Sequence, residues 1–505
     1  MTNSITVLPE DALNRELVSL LAPRDWRNPQ AAGRYKLVVL GGGTAGLVSA
    51  AGAAGLGAKV ALIERHLLGG DCLVTGCVPS KSLLAAARAA HDARHAERFG
   101  VRLPGPVAVD FAAVMQRMRA QRTAIAPHDS ARRFTELGVD VYLGAACFTG
   151  RDTLEVGGQT LRFTRAIIAT GARAALPPIP GLAETGCLTN ESVFTLTELP
   201  RRLAVLGGGP IGCELAQAFA RFGSEVTLIE QGPTVLGRED PDAAALVQAA
   251  LAADGVRLIF GARLAAVQNG PTGKRLELVR NGTTESLESD EILVGVGRAP
   301  NIENLGLQAA GVEHDAHGLV VTDRLATANP RIFAAGDVCS RYKFTHAADA
   351  MARIALQNAL FFGRKRVSEL VLPWCTYTDP ELAHTGLTAA LAAERGLATE
   401  SFTVELSGVD RARLEGETAG FVRVLAQRGS GRILGGTIVA RHAGELISEL
   451  TLAITSGATL ATLGSTIHPY PTVAEALKRT GDLYQRTRLT PSVQGWMRRW
   501  FRWRR

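Results

Sequence analysis

The chain has 505 residues, enough for several domains, and its 46% hydrophobic and 20% charged residues are typical of a globular protein. The formal net charge of +7 is small for this length, and the folded part has no interleaved basic and aromatic residues, so we expect no nucleic-acid partner. No apolar run reaches the roughly 20 residues of a membrane span, and the N-terminal residues lack the apolar stretch of a secretory signal. Seven cysteines in such a chain predict a reduced, cytoplasmic setting in which any disulfide is catalytic.

An N-terminal extension, residues 1–34, precedes the first strong strand pattern. Apolar residues recur at helical spacing from Glu10 to Leu21, and Pro23 and Pro29 end the pattern. The extension is therefore either a docking arm or a plain tail.

From Tyr35 onward the pattern is strand, glycine loop, helix and strand, with KLVVL at 36–40, GGGTAG at 41–46 and KVALI at 59–63. The same order recurs with LAVL at 203–206, GGGPIG at 207–212 and EVTLI at 225–229. An internal repeat of a βαβ unit predicts two nucleotide-binding domains with parallel sheets.

The first glycine loop has the pattern G-x-G-x-x-G at Gly41, Gly43 and Gly46. Such glycines allow a tight turn, let the backbone approach a pyrophosphate and permit close helix–strand packing, while the helix N-terminus stabilises the negative charge. Glu64 ends the next strand, where a carboxylate accepts hydrogen bonds from ribose hydroxyls. A purely structural glycine loop is disfavoured, because strand, helix and acid all occur in order.

The second loop repeats the device with Gly207, Gly209 and Gly212, and Glu230 ends the following strand. Two full copies predict two bound dinucleotides rather than one dinucleotide and a degenerate relic. A carboxylate at Glu230 binds a free ribose 2′-hydroxyl and repels a 2′-phosphate, so NADH is favoured over NADPH. Arg238 is the nearby cation that could reverse this preference.

The segment GGDCLVTGCVPSK contains Cys72 and Cys77, with Lys81 one helical turn further on. Cys77 begins a predicted helix, and the positive end of the helix dipole should lower the pKa of its thiol. Two thiols on one turn can form a short, reducible disulfide, whereas the alternative is two unpaired buried cysteines. That second interpretation fits the other five cysteines, which are Cys147, Cys187, Cys213, Cys339 and Cys375.

Taken in order, GGGTAG, GGDCLVTGCVPSK, GGGPIGCELA, AAGD and HPYPTVAEA resemble the flavoprotein disulfide reductases over about residues 35–490. Within that family the chain is most similar to mercuric reductases and mercuric-reductase-like proteins. The resemblance implies an α/β fold with two Rossmann-like domains, for FAD and NAD(P), and a C-terminal α+β dimerisation domain, hence a homodimer. The implied parts are residues 35–190 with 321–368 for FAD, 191–320 for NAD(P), 369–490 for dimerisation, and 491–505 as a basic aromatic tail.

The resemblance also implies roles for individual residues. Asp337 would bind the FAD ribityl chain, Cys77 would face the flavin, and Cys72 would meet the substrate. Lys81 would pair with Glu214 beside the flavin. The remaining nucleotide contacts are assigned to Gly70, Thr170, Gly171 and Gly336 for FAD, and to Gly297 for NAD(P).

One departure from the family pattern concerns the acid/base residue. Disulfide-reducing members have His-Pro-Thr-x-x-Glu near the C-terminus, and that histidine protonates the departing thiolate. Here, alignment on Thr472 and Glu475 puts Tyr470 at the histidine position, as in mercuric reductase. A tyrosine, with an ordinary pKa of about 10, is a poor proton shuttle at neutral pH. His468 could serve instead only if the loop bulges; otherwise it is a packed or surface residue.

A second departure is in the delivery of metal. Mercuric reductases carry a C-terminal cysteine pair that passes Hg(II) inward, and soft ions require soft ligands. This chain has no cysteine after Cys375 and no N-terminal Cys-x-x-Cys module; it ends in GWMRRWFRWRR. The cationic aromatic tail suits an anionic membrane surface, and the alternative is a disordered or dimer-docking tail.

Three functions remain open from the sequence. In the favoured one, NADH reduces FAD, FAD reduces the Cys72–Cys77 pair, and the pair transiently binds a thiophilic metal ion such as Hg(II), which accepts the electrons. The second is reduction of a small or protein disulfide, against which Tyr470 argues. The third is a flavin-bearing redox sensor at membranes, suggested by the tail.

Overall fold

The computed structural model describes residues 5–361 and 363–504. Within them the chain forms two compact units. The first unit consists of the described residues up to Gly207 together with 218–229 and 262–370, and the second of 208–217, 230–261 and the residues described from Val371 onward.

The first part of the chain contains the first predicted βαβ unit. Its strands are β1 (Arg34–Leu40), β2 (Val60–Glu64), β3 (Val139–Leu143), β4 (Ala146–Gly150), β5 (Thr153–Val156), β6 (Gln159–Ile168), β7 (Ala172–Ala174) and β8 (Arg202–Leu206). Its helices are α1 (Ala12–Leu21), α2 (Thr44–Gly55), α3 (Gly70–Val74), α4 (Cys77–Arg94), α5 (Phe111–Ile125) and α6 (Ala131–Glu136). Short 3₁₀ turns lie at Ala96–Phe99, Ala126–Asp129 and Val193–Thr195.

The middle part of the chain repeats the strand–helix–strand order. Its strands are β9 (Glu225–Glu230), β10 (Arg257–Phe260), β11 (Ala262–Gly270), β12 (Gly273–Arg280), β13 (Thr283–Ser289), β14 (Glu291–Val294), β15 (Arg298–Pro300), β16 (His314–Asp315), β17 (Gly318–Leu319) and β18 (Ile332–Ala334). Its helices are α7 (Pro210–Phe222), α8 (Pro241–Ala253), α9 (Leu307–Ala310) and α10 (Thr345–Leu360), followed by a 3₁₀ turn at Val367–Glu369. The predicted strand 291–297 is shorter than expected, because β14 ends at Val294.

The main sheet of the first unit is mostly parallel. Its order is β3-β2-β1-β6-β5-β4, and β18 also pairs with β6. β1, β2, β3, β6 and β18 run parallel, whereas β4 and β5 add an antiparallel edge. The residues of β1 from Leu37 to Leu40 are buried on both faces, as expected for a parallel strand covered by helices. The sheet therefore delivers the glycine loop after β1 and the AAGD turn after β18 to the same carboxyl edge.

A second parallel group in this unit joins β9, β8 and β14, as the repeat predicts. An antiparallel meander, β11-β12-β13, lies between them in sequence. The two parallel groups confirm the α/β class predicted from the repeated βαβ pattern.

The N-terminal helix α1 answers the question left open for residues 1–34. Its Leu17 and Leu21 are fully buried, and Asp11 caps it by accepting from the backbone nitrogen of Asn14 at 2.8 Å. The buried Arg122 of α5 donates to Asn14 Oδ1 at 2.6 Å and to the carbonyl of Val74 at 2.7 Å. The described part of the extension is thus a docked arm rather than a plain tail.

The C-terminal part of the second unit is α+β. Its antiparallel sheet has the order β19-β20-β23-β22-β21. The strands are β19 (Pro373–Thr376), β20 (Glu381–Gly386), β21 (Thr399–Glu405), β22 (Phe421–Gln427) and β23 (Ile433–Ala440). The helices are α11 (Ala389–Glu394), α12 (Asp410–Glu415), α13 (Ala443–Thr455), α14 (Leu460–Ser465), α15 (Glu475–Thr487) and α16 (Pro491–Trp503), with a 3₁₀ turn at Leu406–Gly408. Its core contains Val422, Ile438 and Leu450, which are fully buried.

The basic aromatic tail is helical, so the disordered alternative is wrong for its described residues. Helix α16 begins at Pro491, and Thr490 caps it by accepting from the backbone nitrogen of Val493. Among residues 5–361 and 363–504, no helix is both long and apolar enough to cross a membrane.

Candidate active site

The first glycine loop has a backbone that only glycine can adopt. Gly41 has φ +105°, and a Cβ there would collide with the carbonyl oxygen of Ala169. A Cβ at Gly46 would collide with the carbonyl oxygen of Gly41. Helix α2 follows with Gly43 at its N-cap and no side-chain cap. The first backbone N–H groups of α2 therefore form an anion-binding helix terminus.

In each repeat, the glutamate that ends the second strand accepts the same pair of backbone hydrogen bonds. Glu64 accepts from the backbone nitrogens of Gly42 at 2.6 Å and His66 at 2.7 Å. Glu230 accepts from those of Gly208 at 2.6 Å and Gly232 at 2.7 Å. Each carboxylate is fixed by one bond per oxygen, which leaves further lone pairs for hydroxyl groups. The internal repeat thus extends from the sequence to individual hydrogen bonds.

The second glycine loop repeats the steric logic of the first. Gly207 has φ +100°, and a Cβ there would lie 2.7 Å from the carbonyl oxygen of Gly295. Gly297 has φ +143°, again a glycine conformation, and its carbonyl accepts from the nitrogen of Ala175 at 3.0 Å. Gly209 has open space around its Cβ position and begins the turn into α7.

The cysteine pair lies where two helices meet at Gly76. Cys72 is in the short helix α3, and Cys77 is the first residue of α4, whose N-cap Gly76 provides no side-chain cap. The structure brings the two thiols into hydrogen-bond contact with each other. The hydroxyl of Thr345, the first residue of α10, lies 3.3 Å from Cys77 Sγ. Cys72 is half-buried and Cys77 exposed.

The two thiols of the pair have opposite acidities. The hydrogen bond from Cys72 lowers the pKa of Cys77 to about 6, and Thr345 and Lys81 act in the same direction; the protein atoms around the sulfur oppose this by desolvating it, although the residue as a whole is exposed. The same bond, together with burial, raises the pKa of Cys72 well above its usual range. The pKa directions therefore favour a Cys77 thiolate that accepts a hydrogen bond from a Cys72 thiol, which keeps its proton.

Asp71 connects the cysteine turn to distant parts of the first unit. Its carboxylate accepts from the Thr75 hydroxyl at 2.7 Å and from the Asn190 amide at 2.9 Å, and it pairs with Arg298 at 2.9 Å. Its charge raises the pKa of both thiols. Thr75 holds the turn between Cys72 and Cys77 from within, and Asn190 and Arg298 hold it from distant parts of the sequence.

Asp337 is a half-buried carboxyl close to the start of α2. Gly336, with φ +83°, sits against that helix, because its Cβ position is 3.3 Å from the Cβ of Ala45. Burial raises the pKa of Asp337, opposed by Arg298, whose Nε lies 3.5 Å away, and by Lys343. Arg298 therefore contacts the acids of both the cysteine turn and the AAGD turn.

These residues fit an FAD dinucleotide. The uncapped start of α2 suits the pyrophosphate, and its approach is kept open by two glycines, since a Cβ at Gly70 would lie 2.7 Å from the Cα of Gly43. The carboxylates of Glu64 and Asp337 suit ribose and ribityl hydroxyls at opposite ends of such a molecule. Thr170 and Gly171 flank this region, although the Thr170 hydroxyl already donates to the carbonyl of Asn301 at 2.7 Å.

The residues considered for acid/base chemistry lie in the second unit. Tyr470 is exposed, and its hydroxyl donates to Asp410 at 2.9 Å. That bond to a carboxylate raises the pKa of Tyr470 above its ordinary value. His468 is held at both ring nitrogens, 2.9 Å from Glu449 Oε1 and 3.1 Å from the carbonyl of Thr466.

Glu475 and Glu214, also in the second unit, have local partners. Glu475 pairs with Arg479 one helical turn away at 3.1 Å. Glu214 accepts from the backbone nitrogen of Tyr377 at 2.9 Å. The pairing of Lys81 with Glu214 remains a prediction.

The sequence interpretation missed four residues at the cysteine pair and the AAGD turn: Asp71, Arg298, Thr345 and Asn190. Asp71 precedes Cys72 in the cysteine motif, and Arg298 directly follows GVG in the predicted strand. Their positions next to motifs were a signal, but the sequence did not indicate which residues they contact. Thr345 and Asn190 have no motif around them. One expectation about the remaining cysteines is wrong, because Cys147 is exposed on the edge strand β4.

The fold and this site define a class of two-dinucleotide redox enzymes with a reactive cysteine pair. The family model described as pyridine nucleotide-disulphide oxidoreductase matches residues 35–352, and the model of its dimerisation domain matches residues 372–480. The chain therefore belongs to the pyridine nucleotide-disulphide oxidoreductases. This family is FAD-dependent and uses NAD(P)H, and the dimerisation domain supports a homodimer.

Two groups of relatives are similar to the chain. It is 36% identical over 445 residues to a mercuric reductase of Bacillus cereus, covering 88% of this chain and 70% of that protein. It is 36% identical over 466 residues to a mercuric reductase of Streptomyces lividans, covering 90% and 97%. It is also 34% identical over 452 residues to a dihydrolipoyl dehydrogenase of Chlamydia muridarum, covering 87% and 95%.

Solved structures give the same fold. A Cu(II) complex of a cysteine-to-serine mutant of the HOCl-induced flavoprotein disulfide reductase RclA from Escherichia coli has a TM-score of 0.80 at 28% identity, covering 90% of this chain and 100% of that one. LpdA from Mycobacterium tuberculosis has a TM-score of 0.81 at 26% identity, covering 89% and 99%. Together with the family match, these structures confirm the predicted fold of two Rossmann-like domains followed by an α+β dimerisation domain.

Proposed function

We propose that the protein is an NAD(P)H-dependent flavoprotein reductase of a thiophilic metal ion, Hg(II) being the type case. The observation that carries this proposal is the contact between the Cys72 and Cys77 thiols at the start of α4, with the Thr345 hydroxyl 3.3 Å from Cys77 Sγ; the contact lowers the pKa of Cys77 and raises that of Cys72. Two adjacent sulfur ligands bind a soft cation well. The relatives named mercuric reductase and the Cu(II) complex of RclA support an acceptor of this chemistry.

The chain's own residues would hold the cofactors as follows. The start of α2 with Gly41, Gly43 and Gly46 binds the FAD pyrophosphate, and Glu64 and Asp337 bind its hydroxyl groups. When bound there, FAD would supply the two-electron chemistry that connects the nicotinamide with the sulfur site. The loop at Gly207, Gly209 and Gly212 would hold the nicotinamide dinucleotide, to which the family resemblance also assigns Gly297.

The cysteine pair handles the proton and the ion. The Cys77 thiolate is ready to bind at neutral pH, and Cys72 loses its proton when a cation replaces that proton between the two sulfurs. Overall, NAD(P)H and Hg(II) give NAD(P)⁺, a proton and Hg(0), so that one hydride supplies both electrons. Asp71, held by Thr75, Asn190 and Arg298, keeps the turn in place.

The properties of Tyr470 favour reduction of a metal ion over reduction of a disulfide. Disulfide cleavage needs an acid that protonates the leaving thiolate. Tyr470 donates to Asp410 and has a raised pKa, so it releases and regains a proton poorly near pH 7. A metal ion leaves as a reduced atom and needs no such proton.

Reduction of a disulfide is the second candidate, supported by the dihydrolipoyl dehydrogenase relatives and by the bond between His468 and Glu449. An acceptor screen in stopped flow tests both, with Hg(II), Cu(II), lipoamide and glutathione disulfide. Fast turnover of Hg(II) or Cu(II), lost in Cys72→Ala, is the expected result. Turnover of a disulfide that falls in His468→Ala but not in Tyr470→Phe would favour the second candidate and reject the first.

The preferred reductant and the location of the protein are part of the same proposal. The Glu230 carboxylate, fixed by Gly208 and Gly232, would repel a 2′-phosphate, so NADH is the expected reductant. The expected kcat/KM is higher with NADH than with NADPH, and Glu230→Gln should narrow that gap. We expect a cytoplasmic enzyme, because seven cysteines in a chain of this length do not form a disulfide scaffold and suit a reducing compartment.

A further inference from the structure

Helix α16 is an exposed helix with no buried residue. Every side chain between Trp496 and Arg504 is exposed, and Trp503 reaches 76%. Thr490 and Pro491 give the helix a proper N-terminal cap, so it is a formed element rather than a fraying end. Large exposed aromatic surface of this kind marks an interaction site.

The helix has two chemically distinct faces. At about 100° per residue, the apolar side chains fall on one arc and the guanidinium groups of Arg498, Arg499 and Arg502 on the opposite one, whereas Arg504, just past the end of the helix, lies over the Trp500 ring at 5.4 Å from its centroid. The apolar arc consists of Val493, Trp496, Met497, Trp500, Phe501 and Trp503, and the cationic arc of Arg498, Arg499 and Arg502. The indole rings of Trp496 and Trp500 stack at 5.8 Å between centroids, and those of Trp500 and Trp503 lie 5.4 Å apart. The apolar arc is therefore a continuous row of indoles.

We propose that α16 binds in the plane of an anionic lipid surface. The indole row would lie at the boundary between headgroups and acyl chains, where tryptophan is favoured, and the cationic arc would face the lipid phosphates. The helix has 13 residues and is about 20 Å long at roughly 1.5 Å per residue, too short to span a bilayer but suited to lie along it. This association goes beyond the proposed reaction and does not depend on its acceptor.

Charge distribution favours lipid over a second copy of the chain as the occupant. The sequence has a formal net charge of +7, and five arginines stand among its last eight residues. The segment after Arg488 contains no acidic residue. A second copy would bring an equally cationic helix, whereas an anionic bilayer supplies the opposite charge across the whole face.

Vesicle flotation of the flavin-loaded full chain tests the proposal, with phosphatidylcholine vesicles alone or containing an equal share of phosphatidylglycerol. The protein should float with the anionic vesicles only, and less so as salt is raised. Each arginine near an anionic surface contributes about fivefold to partitioning. Replacing Arg498, Arg499 and Arg502 together by alanine should weaken binding by about 100-fold, and replacing Trp496, Trp500 and Trp503 by alanine should also abolish flotation.

The matched control removes three exposed arginines elsewhere, Arg24, Arg27 and Arg102, and should bind as the unmodified protein does. Retained flavin absorbance and unchanged NADH-dependent turnover in solution show that each variant is folded. Equal binding to both vesicle types, or no binding, overturns the proposal. So does a deletion of residues 491–505 that converts a dimer to a monomer while the intact chain fails to float, since α16 would then join two copies.

Discussion

Removing the Thr345 hydroxyl should make the Cys77 thiol less acidic. Thr345 is the first residue of α10, its hydroxyl lies 3.3 Å from Cys77 Sγ, and it does not cap its own helix. Thr345→Val keeps the shape of the side chain and deletes only the hydroxyl. The substitution therefore isolates one of the bonds that stabilise the thiolate.

The size of the effect follows from the energy of that bond. A hydrogen bond to a charged group contributes about 1.5–3 kcal/mol, and one pKa unit corresponds to about 1.4 kcal/mol. Taking the lower end for a sulfur acceptor, the pKa of Cys77 should rise from about 6 to about 7. The thiolate fraction at pH 6 then falls from about half to about a tenth, and the rate of alkylation at that pH falls about fivefold.

The assay is iodoacetamide alkylation of the anaerobically NADH-reduced protein between pH 4.5 and 9, with the modified peptides identified by mass spectrometry. Cys77 should react first and Cys72 only at higher pH, because their acidities are opposed. Thr455→Val is the control, since its hydroxyl donates to a helix carbonyl at 2.8 Å far from the thiols in sequence. A Cys77 midpoint that stays within roughly 0.3 units of the unmodified protein, or falls, would refute the assigned hydrogen bond.

Three further predictions concern the flavin loop, the cysteine turn and a buried acid. Gly46→Ala should yield colourless protein, because its Cβ would collide with the carbonyl of Gly41; Gly55→Ala, with open space in the same helix, should keep its absorbance at 450 nm. Asp71→Asn should move the alkylation midpoint of Cys77 downward, opposite to Thr345→Val, because it removes a charge that raises that pKa; an upward shift would contradict the role given to Asp71. Glu239 accepts a hydrogen bond from Trp374 Nε1 at 2.7 Å, and burial raises its pKa to about 7. Folding therefore favours the protonated carboxyl, so the free energy of unfolding is highest below pH 4.5 and falls as the pH rises through 7. Glu239→Gln should therefore gain stability relative to the unmodified protein by about 3 kcal/mol, or about 3 °C in Tm, between pH 4.5 and 8; parallel Tm curves would exclude a proton on Glu239.

The sequence alone predicted the parts of this protein whose causes are local. A glycine loop between a buried strand and a helix requires the βαβ geometry of β1, α2 and β2, since only glycine can occupy Gly41 and Gly46. The repeat of that pattern predicted the second loop. The equivalent backbone hydrogen bonds accepted by Glu64 and Glu230 have the same local origin. Cys77 at the start of α4 follows from the position of Gly76 before it.

What surrounds the two sulfurs was decided only by the tertiary structure. Asp71 meets Asn190 across 119 positions of sequence and Arg298 from still further along the chain, and Cys77 meets Thr345 across 268 positions. No periodicity or spacing encodes such contacts, because they arise when the distant segments that carry Asn190, Arg298 and Thr345 fold against the cysteine turn. The sequence therefore identified the two sulfurs and placed them on one turn, where their mutual hydrogen bond is the largest cause of their opposed pKa shifts. Chain packing then added the Thr345 hydroxyl, because hydrogen bonds and charges act through space rather than along the chain.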